Sequence, residues 1–264
     1  MIWPTYILVI ILGLIIGSFL NVLILRYHTG RSLGGRSGCL TCGQALCWFE
    51  LVPVLSFICL KGRCRTCRAK VSWQYPLVEL ATASLFVFSA QHFLPSWTVV
   101  FFSWLIISLL IVITVYDLRH KIIPEVLVYG FDFLAFIWAI FLSEDLISAL
   151  VAGLIFFGLF GAMWYFSKGT WMGFGDAKLV LGFGFLLGLS AGFSALLWAF
   201  VLGAIVGLLL LASSKLKKLP KNWPRFNLKT EVPFAPFLVI GLLLVWLGQF
   251  NLLDVFLFYP AVGF

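Results

Sequence analysis

Long apolar blocks with almost no charge constrain this chain more than any other feature. Eight of them divide the sequence, at residues 4–25, 76–94, 97–116, 126–142, 146–166, 177–189, 193–212 and 234–258. The breaks between them contain Pro, Gly, Ser or charged residues, as helix ends do. With 62% hydrophobic and 11% charged residues, the chain lacks the polar surface that a soluble domain requires. We therefore predict an all-α membrane protein, a bundle of about eight transmembrane helices.

The 18 Lys and Arg residues predict the orientation of this bundle. They fall in four stretches, at residues 26–70, 119–121, 168–178 and 215–229. Basic residues collect in cytoplasmic loops, and eight crossings that start outside place all four stretches on the cytoplasmic side. The opposite loops contain no Lys or Arg. We therefore attribute the net charge of +8 to the basic cytoplasmic loops of a membrane protein, and we predict no nucleic-acid partner.

These patterns divide the chain into three regions. Residues 1–25 are predicted as a retained first transmembrane helix, because no basic residue precedes the apolar run as in a cleaved signal. Residues 26–75 are predicted as a small cytoplasmic loop domain. Its apolar decapeptide 51–60 is too short to span a membrane, and forms either the core of the loop or a surface-lying segment. Residues 76–264 are predicted as the transmembrane core, in which 177–212 is a tight helical hairpin.

Four of the six cysteines form two Cys-x-x-Cys pairs in the loop domain, Cys39 with Cys42 and Cys64 with Cys67. Four thiolates close a tetrahedral structural zinc site, and a loop this small needs such a staple. A reducing cytoplasm favours a metal over disulfides. Two disulfides, redox chemistry or unrelated thiols are the alternatives. Cys47 and Cys59 fit neither pair and are interpreted as small apolar residues. No internal repeat is evident.

Two aspartates lie at the predicted cytoplasmic ends of membrane helices. Asp117 ends the third helix, and Asp176 opens the sixth, which we expect to begin before it. Ionisable groups in membrane helices are functional candidates. Two carboxyls that share a site divide into an acid and a base, which is the chemistry of metal-free peptide hydrolysis. Alternatively, each Asp caps a helix or pairs with a nearby Lys or Arg.

Neighbouring residues add to this hypothesis without deciding it. Gly173 and Gly175, just before Asp176, lack a Cβ and would let the backbone approach a substrate closely. Asp132 lies well inside the fourth predicted helix and needs a partner or a water-filled cavity. Glu79 lies just inside the second helix. Either acid supports the site or pairs with a neighbouring donor.

Taken together, the motifs resemble the type IV prepilin peptidase family of bacterial aspartyl peptidases along nearly the whole chain. In chain order they are Gly17–Val22, Arg36–Gly43, Gly62–Cys67, Tyr75–Glu79, Asp117 with Ile123-Pro124, Gly173–Lys178 and Pro233–Phe237. Two positions depart from the family pattern. Glu125 stands where the family often has Asp, and Asp132 matches no family motif.

The resemblance implies an aspartic endopeptidase of the bacterial cytoplasmic (inner) membrane, with Asp117 and Asp176 as its catalytic residues. Such enzymes cut the leader from prepilins or pseudopilins of type IV pili or type II secretion at the cytoplasmic face. Many also methylate the new N-terminus with S-adenosylmethionine. Glu79, Gly62 and Arg63 are the candidates for binding that cofactor here, although no glycine-rich fingerprint marks its site. The expected partners are these substrates and the lipid bilayer, and no oligomeric state is predicted.

Other function classes fit parts of the pattern. A presenilin-like intramembrane protease shares the Gly-x-Gly-Asp motif but lacks cysteine pairs after its first helix. A transporter or assembly scaffold would use Asp117, Asp132 and Asp176 as an ion path, and inverted repeats would favour it. Nucleic-acid binding by the cysteine pairs would need an aromatic stacking surface, which the loop sequence does not indicate.

Overall fold

The computed structural model describes residues 3–29, 32, 34–143, 145–215 and 232–252. Across these ranges the chain is all-helical, which confirms the predicted fold class. The helices are α1 (Trp3–Arg26), α2 (Leu55–Cys59), α3 (Gln74–Phe93), α4 (Trp97–His120), α5 (Glu125–Leu142), α6 (Leu146–Ser167), α7 (Phe174–Lys215) and α8 (Ala235–Trp246). A short 3-10 turn at Trp48–Leu51 precedes α2.

Five helices of the described chain are long and apolar enough to cross a membrane, namely α1, α4, α5, α6 and the Phe174–Ser213 part of α7. Helix α8 is apolar but has only 12 residues. The predicted number of about eight crossings therefore stays a prediction. Most of the basic stretch 215–229 and the end of the apolar block 234–258 lie outside the described residues.

Helix α7 is interrupted at Gly188, where φ is +72°. This left-handed conformation favours glycine, because glycine has no Cβ to clash with the backbone. Before the break, the ring of Phe174 lies 4.8 Å from that of Trp164 in α6. Further along, a Cβ on Gly184 would lie 2.1 Å from the backbone nitrogen of Gly153. The first half of α7 therefore runs antiparallel to α6.

The second half of α7 runs in the opposite direction. A Cβ on Gly192 would lie 2.4 Å from the ring of Phe156 in α6. Eight residues later, the ring of Phe200 lies 6.1 Å from that of Phe160. The two halves thus form a helical hairpin, as the sequence predicts, and its first helix begins before Asp176.

The chain forms two compact units, residues 1–112 and 113–264, with the boundary inside α4. In the first unit, glycines of α1 bring α3 very close. A Cβ on Gly13 would lie 2.5 Å from the Cα of Ala83, and one on Gly17 would lie 2.7 Å from the Cα of Glu79. Small residues one turn apart allow this close packing of apolar helices.

The cysteine loop of the first unit contains the same turn twice. The N–H groups of Cys39 and Cys64 each donate to the carbonyl five residues later, at 2.9 and 2.8 Å. The fourth residue after each cysteine has a positive φ, +70° at Gly43 and +59° at Arg68. The loop is therefore a structural repeat. The two copies share little sequence beyond Cys-x-Thr-Cys, so the repeat is visible in the structure and not in the sequence.

Candidate active site and cysteine cluster

Asp117 lies in the last turn of α4 and is 4% exposed. The backbone N–H of Ala235, the first residue of α8, interacts with the Asp117 carboxylate. Free N–H groups give a helix N-terminus a partial positive charge, which favours a nearby carboxylate. The start of the last helix is thus part of the surroundings of Asp117.

Asp176 lies in the first turn of α7 and is 6% exposed. Its Oδ2 accepts a hydrogen bond of 3.2 Å from the N–H of Gly173, just before the helix. This is the reach-back contact of a capping box, so Asp176 also occupies a helix N-terminus. The two candidate aspartates therefore have similar surroundings. Asp117 lies beside the N-terminus of α8, and Asp176 lies at the N-terminus of α7.

Both aspartates line one pocket of about 860 Å³. They lie near enough for their charges to repel. Asp117 Oδ2 and Asp176 Oδ1 are buried and have no hydrogen-bond partner in the described structure. A buried carboxylate oxygen without a partner is uncommon, and in a pocket it is an acceptor free for water or substrate. The other lining residues are Lys121–Ile123, Glu125, Val128, Gly169–Gly175, Lys178 and Val232–Phe234.

Direct contacts join the segments that carry the two aspartates. A Cβ on Gly175 would lie 2.9 Å from the Cβ of Ile123. The space that a side chain at Gly175 would need is thus filled by Ile123, in the Ile-Pro segment after Asp117. At Gly173, a Cβ would meet nothing closer than 3.7 Å. Lys178 also pairs with Glu125, with Nζ and Oε1 2.6 Å apart.

Asp132 does not line this pocket. It is 8% exposed, and its Oδ1 has no partner in the described structure. A Cβ on Gly182 of α7 would lie 2.7 Å from that oxygen. Asp132 is thus packed against the backbone of α7, apart from the two aspartates that line the pocket.

The four paired cysteines come together, as the sequence predicts. The Sγ atoms of Cys39, Cys42, Cys64 and Cys67 all lie within 4.8 Å of one another. Those of Cys39 and Cys67 are 3.8 Å apart, close to the roughly 3.8 Å that tetrahedral Zn–S bonds of about 2.3 Å require. Hydrogen bonds from the backbone N–H groups of Cys42 and Thr41 lower the pKa of the Cys39 thiol to about 6, whereas burial and the neighbouring thiols raise the pKa of Cys67 to about 11.

The remaining cysteines lie outside this cluster. Cys47 and Cys59 are both exposed. Neither is therefore a core residue of the described structure. The cluster therefore uses only the cysteines of the two repeated turns.

The candidate cofactor residues lie in the first unit around α2. Glu79 is 5% exposed, and its Oε2 accepts a 2.8 Å hydrogen bond from the N–H of Val54. Gly62 has φ +66°, and a Cβ there would lie 3.0 Å from the ring of Phe57. Arg63 is exposed. The Glu79 carboxylate and the space at Gly62 are thus engaged by the protein itself.

Sequence reasoning missed two contributions to the pocket. The Ala235 N–H interacts with Asp117, and Glu125 pairs with Lys178. A backbone donor leaves no signal in side-chain patterns. Glu125 and Lys178 were visible as charges, but their pairing depends on how α5 and α7 pack.

Known proteins match this chain along most of its length. Residues 11–93 match the model of the Bacterial Peptidase A24 N-terminal domain, and residues 104–208 match that of the Type IV leader peptidase family. A prepilin leader peptidase/N-methyltransferase of Bacillus subtilis is 32% identical over 242 residues, which cover 90% of this chain and 92% of the relative. One of Pseudomonas aeruginosa is 30% identical over 280 residues, covering 91% and 90%.

A third relative is longer than this chain. It is a prepilin leader peptidase/N-methyltransferase of Myxococcus xanthus, 36% identical over 211 residues. The match covers 77% of this chain and 62% of the relative. No solved structure matches the chain.

Proposed function

Because this chain belongs to the type IV leader peptidase family, we propose that it removes the leader peptide from prepilin-like substrates with Asp117 and Asp176 as its catalytic pair. One observation carries this assignment. Both carboxyls are buried in the same pocket, and each has an oxygen without a partner among the described residues. A water molecule held between two such oxygens is in reach of both an acid and a base.

The proposed mechanism needs the two carboxyls in different protonation states. Like charges that share a site make the doubly ionised pair costly, so one carboxyl keeps a proton. The ionised carboxylate takes a proton from water as the water attacks the scissile carbonyl. The protonated carboxyl then supplies a proton toward the leaving amine. The N–H of Gly173 holds the Asp176 carboxyl in position through these steps, and the N–H of Ala235 interacts with the Asp117 carboxyl.

The pocket lies where a leader junction would meet the membrane. It is formed at the end of α4 and the starts of α5, α7 and α8, which belong to one face of the bilayer if these helices cross it. The basic residues Lys121 and Lys178 also lie there, and basic residues favour the cytoplasmic side. We therefore place cleavage at the cytoplasmic face of the bacterial inner membrane.

The four-cysteine cluster is proposed to hold a structural zinc ion. Cys39, Cys42, Cys64 and Cys67 supply four thiolates at a spacing that fits tetrahedral zinc. Four protein ligands leave no open position for a substrate, so the ion would stabilise the loop rather than take part in cleavage.

Methylation of the new N-terminus is proposed as a second activity because the relatives carry it in their names. S-adenosylmethionine would supply the methyl group. Among the candidates Glu79, Gly62 and Arg63, the Glu79 carboxylate does not fit a direct cofactor ligand, since it is buried and bound to the N–H of Val54. Its proposed role is to hold α2 in place, and Arg63 is the exposed candidate that remains.

The test of both activities is an assay on purified full-length protein in detergent micelles. The substrate is a peptide with a short basic leader, a glycine and an apolar helix, with and without S-adenosylmethionine, and mass spectrometry reads the products. We expect one cut after the glycine, with an added methyl mass only when S-adenosylmethionine is present. An intact peptide after incubation with well-folded protein would contradict the peptidase assignment, and a cut product without methyl mass would contradict the second activity alone.

A further inference from the structure

The apolar segment 51–60 carries several large side chains on the outside of the protein. Leu55 and Ile58 are 61% and 62% exposed, and Cys59 is exposed as well. Positions i, i+3 and i+4 share one face of a helix, so these residues form a continuous apolar stripe on α2. The sequence left open whether this segment is a loop core or lies on a surface. The exposed stripe indicates a surface-lying segment, whereas the half-buried Phe57 ring lies 4.8 Å from that of Trp73 and packs within the loop.

Contacts with α1 and α3 fix the depth of α2. The N–H of Val54, at the start of α2, donates to Glu79 Oε2 at 2.8 Å, and the backbone of Glu79 packs against Gly17 of α1. With a rise of about 1.5 Å per residue, Gly17 lies about 13 Å from the end of α1 at Arg26. Helix α1 is a candidate membrane span. Its length is about 36 Å, against a hydrocarbon core of about 30 Å, so Gly17 lies about 10 Å inside that core. The Glu79 side chain and its 2.8 Å hydrogen bond join the start of α2 to this level, so α2 starts in the same leaflet.

The hydrogen bond to Val54 is what a lipid environment would require. A backbone N–H at this depth has no water to bind and must be satisfied within the protein. Val54 also has φ +61°, which a β-branched residue rarely adopts. The buried Glu79 carboxylate thus both satisfies the exposed start of α2 and holds its unusual backbone.

The residues around this segment match a phospholipid surface. Lys61, Arg63 and Arg65 follow α2 and are exposed, whereas Glu50 is the one acid between residues 26 and 75 of the sequence. Anionic headgroups attract such basic clusters. Trp73, just before α3, is 70% exposed, and tryptophan is enriched at the headgroup level.

We propose that residues 51–60 form a short segment that inserts into one leaflet of the bilayer and docks the cysteine loop on anionic headgroups. Lipid acyl chains contact the apolar stripe of α2. Glu79 positions the segment, and the basic residues after it contact the headgroups. This proposal does not depend on the peptidase assignment.

The test measures the depth of α2 in the full-length protein, reconstituted in vesicles of phosphatidylcholine and phosphatidylglycerol. A nitroxide is attached to native Cys59 in a Cys47→Ser chain. A lipid reference is Ile15→Cys on α1, where the native side chain is 53% exposed, and a water reference is Thr29→Cys, beyond the end of α1. Both references also carry Cys47→Ser and Cys59→Ser. A measured stoichiometry of one nitroxide per chain verifies that the clustered cysteines stay unlabelled.

Power-saturation EPR then compares collisions of each label with oxygen and with a water-soluble nickel chelate. We expect the Cys59 label to resemble the Ile15→Cys label, with an oxygen-to-nickel accessibility ratio several-fold above that at Thr29→Cys. Vesicles without phosphatidylglycerol should lower this ratio. A Cys59 label as accessible to nickel as Thr29→Cys would overturn the proposal. A label shielded from both reagents would overturn it too, because that result means protein contact.

Discussion

The ammonium group of Lys178 lies 2.6 Å from Oε1 of Glu125. This ion pair joins α5, which follows the Asp117 segment, to α7, which contains Asp176. Lys178 also lies 5.1 Å from the ring centres of Tyr129 and Phe174. Its side chain is 13% exposed, whereas that of Glu125 is 68% exposed. Lys178 is therefore the more enclosed partner and holds the two aspartate segments together.

Replacing Lys178 should impair cleavage more than replacing its partner. A pair with one exposed member contributes about 0.2–1 kcal/mol, and each cation–π contact about 0.5–1 kcal/mol. We expect Lys178→Met to lower kcat/KM about 10-fold and Glu125→Gln no more than about 3-fold, with a measurable coupling energy in the double mutant. Lys168→Met, at an exposed lysine outside this pair, is the control. Equal effects of Lys168→Met and Lys178→Met would contradict a specific role for the pair.

Gly175 should not tolerate a side chain. Its Cβ would lie 2.9 Å from the Cβ of Ile123 and 3.3 Å from its Cδ1, so Gly175→Ala must displace the segment after Asp117. Overpacking of this kind costs about 1–3 kcal/mol. We expect a lower thermal unfolding temperature and cleavage reduced at least about 10-fold.

Gly173→Ala is the matched control for this substitution. A Cβ there would lie 3.7 Å from Asp176 Oδ2 and 3.9 Å from the nitrogen of Gly175, both ordinary contacts, and its N–H still donates to that carboxylate. We expect near-normal stability and activity. If both alanine variants behaved alike, close packing against Ile123 would not explain the glycine at position 175.

Much of the fold follows from the sequence because few backbone conformations are stable in the hydrocarbon region of a bilayer. Long apolar blocks must form helices, since the hydrocarbon region offers no partners for backbone groups. The hairpin at Gly188 was predictable for the same reason, because a long apolar run broken by glycines has room to reverse. The lengths of individual helices were not predictable, and α8 has only 12 described residues where the apolar block is longer.

The sequence predicts which residues form the candidate site, but not the backbone groups that interact with them. Asp117 and Asp176 are conspicuous because acids are rare in apolar helices. Their hydrogen-bond donors are backbone groups at helix starts, and these depend on tertiary packing. Glu79 shows the same limit. Its position left open a pairing with a neighbouring donor, and only the structure identifies that donor as the N–H of Val54.

Removal of one clustered cysteine should release the bound metal. We expect about one zinc ion per chain in the purified protein by mass spectrometry of metals, and close to none in Cys64→Ser, because three thiolates and a hydroxyl bind zinc poorly. The loop should then become sensitive to protease. Cys47→Ser, at an exposed cysteine outside the cluster, should keep the metal. Full metal content in Cys64→Ser would contradict a four-cysteine site.

The most direct test of the account compares leader cleavage by Asp117→Asn and Asp176→Asn with that of the unaltered protein, at matched folding by thermal unfolding. Asp145→Asn is the control, because Asp145 only caps α6 through the N–H of Ser148 and Asn caps equally well. A positioned acid or base contributes about 10²–10⁴-fold to a rate, so each active-site variant should lose at least about 10³-fold while the control cleaves normally. Substantial cleavage by either folded variant would show that Asp117 and Asp176 are not the catalytic pair.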